Sequence, residues 1–208
     1  KSVYLIDIGS TAVFTRSALI ISNGSQNKTE TFNGSISGSG TLEKAWSRTL
    51  DFKFNGDLSN WTGGFKTTGG TANVHLLAGV TNVAASIQAP SLTVGASATD
   101  TANVTFFNTV SAATITAHGS VTVGLNGTLD LTALTSAATL DSLTLAAGST
   151  LALNHTGWLT TSGTLAVADG ASLDLTRLSV SSDPQSYVLA TGHNVTLGDN
   201  VSFTLADE

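Results

Sequence analysis

Four segments of the chain fall in line at a step of 22 residues: Val121-Thr-Val-Gly-Leu-Asn-Gly-Thr-Leu-Asp-Leu131, Leu143-Thr-Leu-Ala-Ala-Gly-Ser-Thr-Leu-Ala-Leu153, Leu165-Ala-Val-Ala-Asp-Gly-Ala-Ser-Leu-Asp-Leu175 and Tyr187-Val-Leu-Ala-Thr-Gly-His-Asn-Val-Thr-Leu197. Each opens with two apolar residues two positions apart and closes with another such pair. Between the pairs lies a turn of small residues, with Gly148, Gly170 and Gly192 in the same place and Asn126-Gly127 standing in for them. A fixed period of this length marks a solenoid, whose repeats bury their apolar faces only by stacking on one another. Such a repeat describes a scaffold, so chemistry has to be sought in what departs from it.

The stretches between these segments, Thr132–Ser142, Asn154–Thr164, Thr176–Ser186 and Gly198–Glu208, vary more, but most carry a further apolar pair, such as Leu178/Val180 and Val201/Phe203. One unit therefore offers about three short strands separated by turns. Equivalent strands of successive units pair in register and pile like side chains along one axis. The expected fold is all-β, a right-handed parallel β-helix, the hand following from the strong preference of parallel crossovers. If the whole chain is wound this way, about nine rungs at ~4.8 Å give a rod of roughly 45 Å.

Strand signals run from end to end. Thr49-Leu-Asp-Phe-Lys-Phe54, Leu92-Thr-Val94, Val104-Thr-Phe106 and Thr164-Leu-Ala-Val167 alternate apolar with polar residues, which puts one face in a core and the other in water. Gly, Asn and Asp interrupt the runs where tight turns need them. The nearest helical candidate, Val83-Ala-Ala-Ser-Ile87, is too short to stand as a helix. The chain is expected to be a single β-helix fragment over 1–208, with less regular, decorated rungs in 1–120 and regular 22-residue rungs in 121–208. Residues 88–120 read as rungs with inserted loops, Gly95–Asn103 for one.

Charge narrows the partners. Charged residues make up 11% of the chain, less than half the usual share of about 25%, so Thr, Ser, Asn and Gly must keep it in solution. The net charge is −6, and seven of the eight Lys and Arg precede residue 70; beyond it Arg177 faces nine acidic residues. No basic stripe exists for a phosphate backbone, which argues against nucleic acid as a partner. No run of about 18 apolar residues exists for a membrane-spanning helix. Lys1-Ser-Val-Tyr-Leu-Ile-Asp-Ile8 is too short and interrupted for a signal peptide, and the chain reads as a piece of a longer protein. There are no cysteines, so disulfides play no part in its stability.

The first region holds a more specific pattern. Gly34-Ser-Ile-Ser-Gly-Ser-Gly-Thr-Leu-Glu-Lys-Ala-Trp46 runs into Thr49-Leu-Asp-Phe-Lys-Phe-Asn-Gly56, followed by Asn60-Trp-Thr-Gly-Gly-Phe65 and Thr68-Gly-Gly-Thr-Ala-Asn-Val74. Over about residues 33–80 this resembles the autotransporter-associated β-strand repeat of bacterial passenger domains. That pattern reads Gly-Ser-Gly-Thr-Leu-x-Lys, a Thr-Leu-x-Leu strand, an Asn-aromatic-Thr-Gly-Gly turn and a Thr or Val strand. Phe52 and Phe54 replace Leu here, Ala45-Trp46 replaces a small turn, and Phe65 replaces Thr. The later units and the closing Gln185-Ser-Tyr-Val-Leu-Ala-Thr-Gly192 resemble less distinctive rungs of such passengers. The resemblance implies a protein secreted to, or displayed at, a bacterial surface, in association with the outer membrane. It implies continuity with further passenger rungs or a translocator barrel. It specifies no activity.

Asp130 and Asp174 occupy the same place in Leu-Asp-Leu two rungs apart, with Ala152 between them. Outward carboxylates there could form an acid/base pair or hold a cation, but their spacing of roughly 10 Å lies at the outer edge for a glycosidase. Solvating the face is the simpler role. His75, His118, His155 and His193 are scattered without metal-site spacing. No calcium-binding repeat, Gly-x-Ser-x-Gly elbow or phosphate loop occurs, so neither a metal nor a cofactor is expected. Nine Asn-x-Ser/Thr sequons (at Asn23, Asn27, Asn33, Asn60, Asn103, Asn126, Asn154, Asn194 and Asn200) follow from the abundance of Asn and Thr and are not read as glycosylated. Phe52 and Phe54 share a side with Leu50 and read as core. Trp46, Trp61 and Phe65 are the binding candidates, because exposed aromatic rings stack on sugars or anchor a partner. The expected function is a non-catalytic stalk or adhesion module, with host or matrix glycans or surface proteins as partners. The rival is a carbohydrate-active β-helix enzyme.

Overall fold

The computed structural model describes residues 12–14, 18–22, 26–45, 47–95, 97, 99, 102–178 and 188–205. Among these there is no helix; the strands run parallel to one another in sheets of nineteen and two strands. They wind as a parallel β-solenoid of about seven turns with rungs about 22 residues apart. The step is not constant: Val110 pairs with Leu129, 19 residues on, and Leu173 with Phe203, 30 residues on.

Each rung contributes to three faces. The first face stacks Ala18–Ser22, Thr41–Ala45, Gly64–Thr67, the starts of Ser86–Val94 and Thr109–Val123, then Thr128–Asp130, Thr150–Ala152, Ser172–Leu175 and Ser202–Leu205. The second runs from Lys28–Phe32 through Thr49–Phe54 and Thr71–Leu76 to Leu159–Thr161 and Ala190–Thr191. The third includes Ala102–Phe106, the ends of Thr109–Val123 and Ala138–Leu145, Thr164–Val167 and Asn194–Leu197. The ladders continue on both sides of residue 120, with one register shift between Ala117 and Ser120 where Thr109–Val123 pairs with Ala138–Leu145, so the irregular first half stacks directly on the regular second half. Val83–Ile87 carries no helix: Asn82–Val83 and Ser86–Val94 are strands. Of the expected loop Gly95–Asn103, the last two residues lie on the strand Ala102–Phe106.

Alternation within each strand makes the core. On the first face, register superposes Leu42, Phe65, Ile87, Val110, Leu129, Leu151, Leu173 and Phe203. All but the last are buried. On the third face Val83, Phe106, Val123, Leu145, Val167 and Leu197 do the same. Each fully buried aliphatic or aromatic side chain contributes about 1.5–3 kcal/mol, and each is shared only with neighbouring rungs. Aromatics fill the wide early rungs. Phe32 stacks on Phe54 at 5.1 Å, and Phe65 meets Phe52 edge-on at 4.9 Å.

The 22-residue step is correct from Val121 to Leu143 to Leu165 and then fails. Leu165 and Val167 pair with Val195 and Leu197, a step of 30. The fourth sequence copy is therefore misplaced: Gly192 does not stack on Gly170. It lies instead against Thr161 and Leu165. The turn column that contains Asn126 (φ 63°), Gly148 (φ 71°) and Gly170 (φ 75°) continues into Asn200, each amide donating to the carbonyl of the next. An apolar-x-apolar pair occurs on every face, so a shift of eight residues still satisfies the hydrophobic pattern.

Among the described residues no strand stacks beyond Asn194–Leu197 and Ser202–Leu205. Val195, Leu197, Phe203 and Leu205 face the stack interior by register, yet are 58%, 60%, 52% and 59% exposed. One rung below, Leu173 and Leu175 are 8% and 5% exposed.

Candidate binding groove

The outward column of the first face gathers much of the chain's polar chemistry on one line. Register places Glu43 beside Lys66, Gln88 beside Ser111, Ser111 beside Asp130, Asp130 beside Ala152, Ala152 beside Asp174 and Asp174 beside Thr204. Phe65 pairs with Ile87, so Lys66 and Gln88 are the next residues on their strands. Across the middle of this line lie two adjoining cavities of about 390 and 420 Å³ that share Gln88 and Ser111. We refer to the two together as the groove. One part is lined by Thr41, Lys66, Ser86 and Thr109; the other has a floor of Ala89, Pro90, Ala112, Ala113 and Ala133.

The groove exists because its floor is small. Alanine, glycine and proline sit where other rungs carry larger side chains, and the segment Thr67–Gly70 rises as a wall. That wall is tied from behind. The Thr68 amide donates to Lys44 O at 2.9 Å, and Lys44 Nζ donates to Gly69 O at 2.8 Å. Lys44 follows Leu42 by two residues and so points inward, and it is fully buried. Burial lowers its pKa. The Thr68 hydroxyl donates to Glu43 Oε1 at 2.8 Å, and Lys66 pairs with Glu43 at 3.2 Å. Those two partners hold the Glu43 carboxyl below its ordinary range, Thr68 more strongly than Lys66. The lysine in the groove is thereby ion-paired. Thr67 Oγ1, in the same wall, is buried without a hydrogen-bond partner.

The carboxylates proposed for catalysis have structural partners. Asp130 Oδ1 accepts from the Thr132 amide at 2.9 Å and from its hydroxyl at 2.6 Å. Asp174 Oδ1 accepts from the Thr176 amide at 3.0 Å. That bond, more than Arg177, lowers the Asp174 pKa. Each aspartate closes the turn that follows its strand. Register keeps them two rungs apart, as the sequence implied.

The aromatic candidates lie elsewhere than expected. Trp61 is fully buried, its Nε1 donating to Gly40 O at 2.8 Å and its ring 6.1 Å from Phe54. Phe65 is 2% exposed and fills the first-face column beneath the groove. Neither presents a ring to solvent, which removes the basis for sugar stacking at these two positions. Trp46 lies outside the described residues. Sequence reasoning missed Phe107, whose ring is 45% exposed beside Gly124. Its signal was the Phe106-Phe107 pair, of which alternation buries one member and exposes the other. It also missed Trp158, half-buried and stacked on His155 at 3.8 Å. His75 is half-buried on the second face, and desolvation lowers its pKa. Among the described residues no group of three or more His, Cys, Asp and Glu could hold a metal, and no helix is long and apolar enough to cross a membrane.

Comparison with protein-family models, curated proteins and solved structures gives no significant match to this chain.

Proposed function

We propose that the chain is a non-catalytic β-solenoid module of a secreted, autotransporter-like bacterial surface protein, acting as a stalk or an adhesion surface. The observation that carries this reading is the parallel ladder on the first face, continuous from Ala18–Ser22 to Ser202–Leu205. A stack in which every rung rests on its neighbours is an extended, stiff support whose outer faces are free for contact. Those faces carry mainly threonine, serine and asparagine. The engagement of Asp130 and Asp174 in their own turns supports a structural role for both carboxylates over the glycan-degrading alternative.

Antibody raised against the chain should label intact cells of the source bacterium, and brief external protease should remove the label. Labelling only after permeabilisation would overturn the surface reading. Reducing ends released from a panel of neutral and acidic polysaccharides would overturn the non-catalytic one.

A further inference from the structure

We infer that the groove over Lys66, Gln88 and Ser111 is a binding site for a neutral oligosaccharide. The inference rests on the proposed surface role and names the ligand class it would serve. Four observations carry it.

The first is the lining. Thr41, Ser86, Gln88, Thr109 and Ser111 supply hydroxyl and amide groups that both donate and accept, as sugar hydroxyls do. The second is charge. Lys66, the one charged lining residue, is paired with Glu43, which weakens its pull on an anion and favours a neutral ligand. The third is shape. The two cavities adjoin at Gln88 and Ser111, leaving room for more than one sugar ring side by side, and the alanine and proline floor offers apolar contact to the C–H face of a sugar ring. The fourth is a wall already fixed by Lys44 and Glu43. A rigid wall lowers the ordering cost of binding.

A peptide strand fits less well. The first-face strands under the groove are paired on both sides, so no free edge exists for strand addition. With no exposed ring in the lining, affinity is expected to be weak, about 1 mM to 10 µM.

The test uses the 208-residue chain titrated by NMR with neutral hexasaccharides of glucose, mannose and N-acetylglucosamine. Hexagalacturonate serves as the acidic arm and a reduced, carboxymethylated polypeptide as the peptide arm. A neutral hexasaccharide should saturate and shift groove resonances. Gln88→Ala should weaken binding about tenfold and Ser111→Trp, which fills the groove, should abolish it, both with unchanged circular dichroism. Gln88 is exposed, so its alanine variant carries the test if Ser111→Trp fails to fold. Absence of saturable neutral binding, preference for hexagalacturonate or the polypeptide, or binding indifferent to Gln88→Ala would each overturn the inference. Cleavage of a bound hexasaccharide would refute the non-catalytic reading while leaving the groove assignment intact. A null titration on a protein that labels intact cells would do the reverse.

Discussion

Trp61 offers the sharpest test of how the early rungs are built. Trp61→Phe keeps a ring in the core but deletes the indole donor to Gly40 O and part of the buried surface. Leaving that carbonyl without its indole partner costs about 1–2 kcal/mol. Losing roughly 40 Å² of apolar contact adds about 1 kcal/mol at 25 cal/mol per Å², for a total of about 2–3 kcal/mol. Trp61→Ala removes the whole ring and its contact with Phe54 and should cost about 3–5 kcal/mol. Because each rung touches only its neighbours, the loss should be local: amides of Thr41–Ala45, Thr49–Phe54 and Gly64–Thr67 should exchange faster, while those of Ser142–Leu145 and Thr164–Val167 keep their protection. Hydrogen exchange with mass spectrometry on both variants, beside urea denaturation, reads this directly. A Trp61→Phe protein within about 0.5 kcal/mol of wild type, with unchanged exchange in the early rungs, would refute the buried placement. It would return Trp61 to the list of binding residues.

Gly148→Ala should destabilise by more than about 1 kcal/mol in urea titration, since its φ is 71° and the added Cβ would lie 2.7 Å from Leu125 Cδ1; Asn126→Gly, at the matching turn, should be nearly neutral. His75 has a folded pKa below its unfolded value near 6.5, so the unfolded state binds more protons as pH falls through that range. Stability should accordingly be full above about pH 6.5 and decline below it, and the melting temperature of His75→Thr should lack that decline. Asp57 and Asp169, held low by the amides of Ser59 and Asn200, contribute stability present above about pH 4 and lost on further acidification.

Much of the architecture was legible because a solenoid writes its fold locally. Thr49–Phe54 and Thr164–Val167 are strands where alternation placed them. Asp130, Ala152 and Asp174 share a column as the 22-residue step required. Trp61 was misjudged because proximity to a turn was taken for exposure; its residue makes only an isolated bridge with Gly38, too short a stretch for alternation to show a side. Phe65 carried a usable signal, since Gly64 and Lys66 flank it as outward neighbours. Lys44 carried one too, two residues past Leu42, but a charged inward residue runs against composition rules. The groove was not legible at all. It arises from small residues on adjacent rungs meeting across a corner, a relation between turns of the winding that no single segment contains.

The 30-residue last rung has a consequence for how the molecule assembles. Hydrophobic pattern alone cannot tell the docking of Asn194–Leu197 from a slipped alternative eight residues away, so a chain adding rungs one at a time has two registers open to it at this step. Asp169 distinguishes the two. Its Oδ1 accepts from the Asn200 amide at 2.8 Å and its Oδ2 from Asn200 Nδ2 at 3.2 Å, a pairing that the slipped arrangement would lose. The contact between Asp169 and Asn200 thus favours one of two alignments that the apolar pattern satisfies equally.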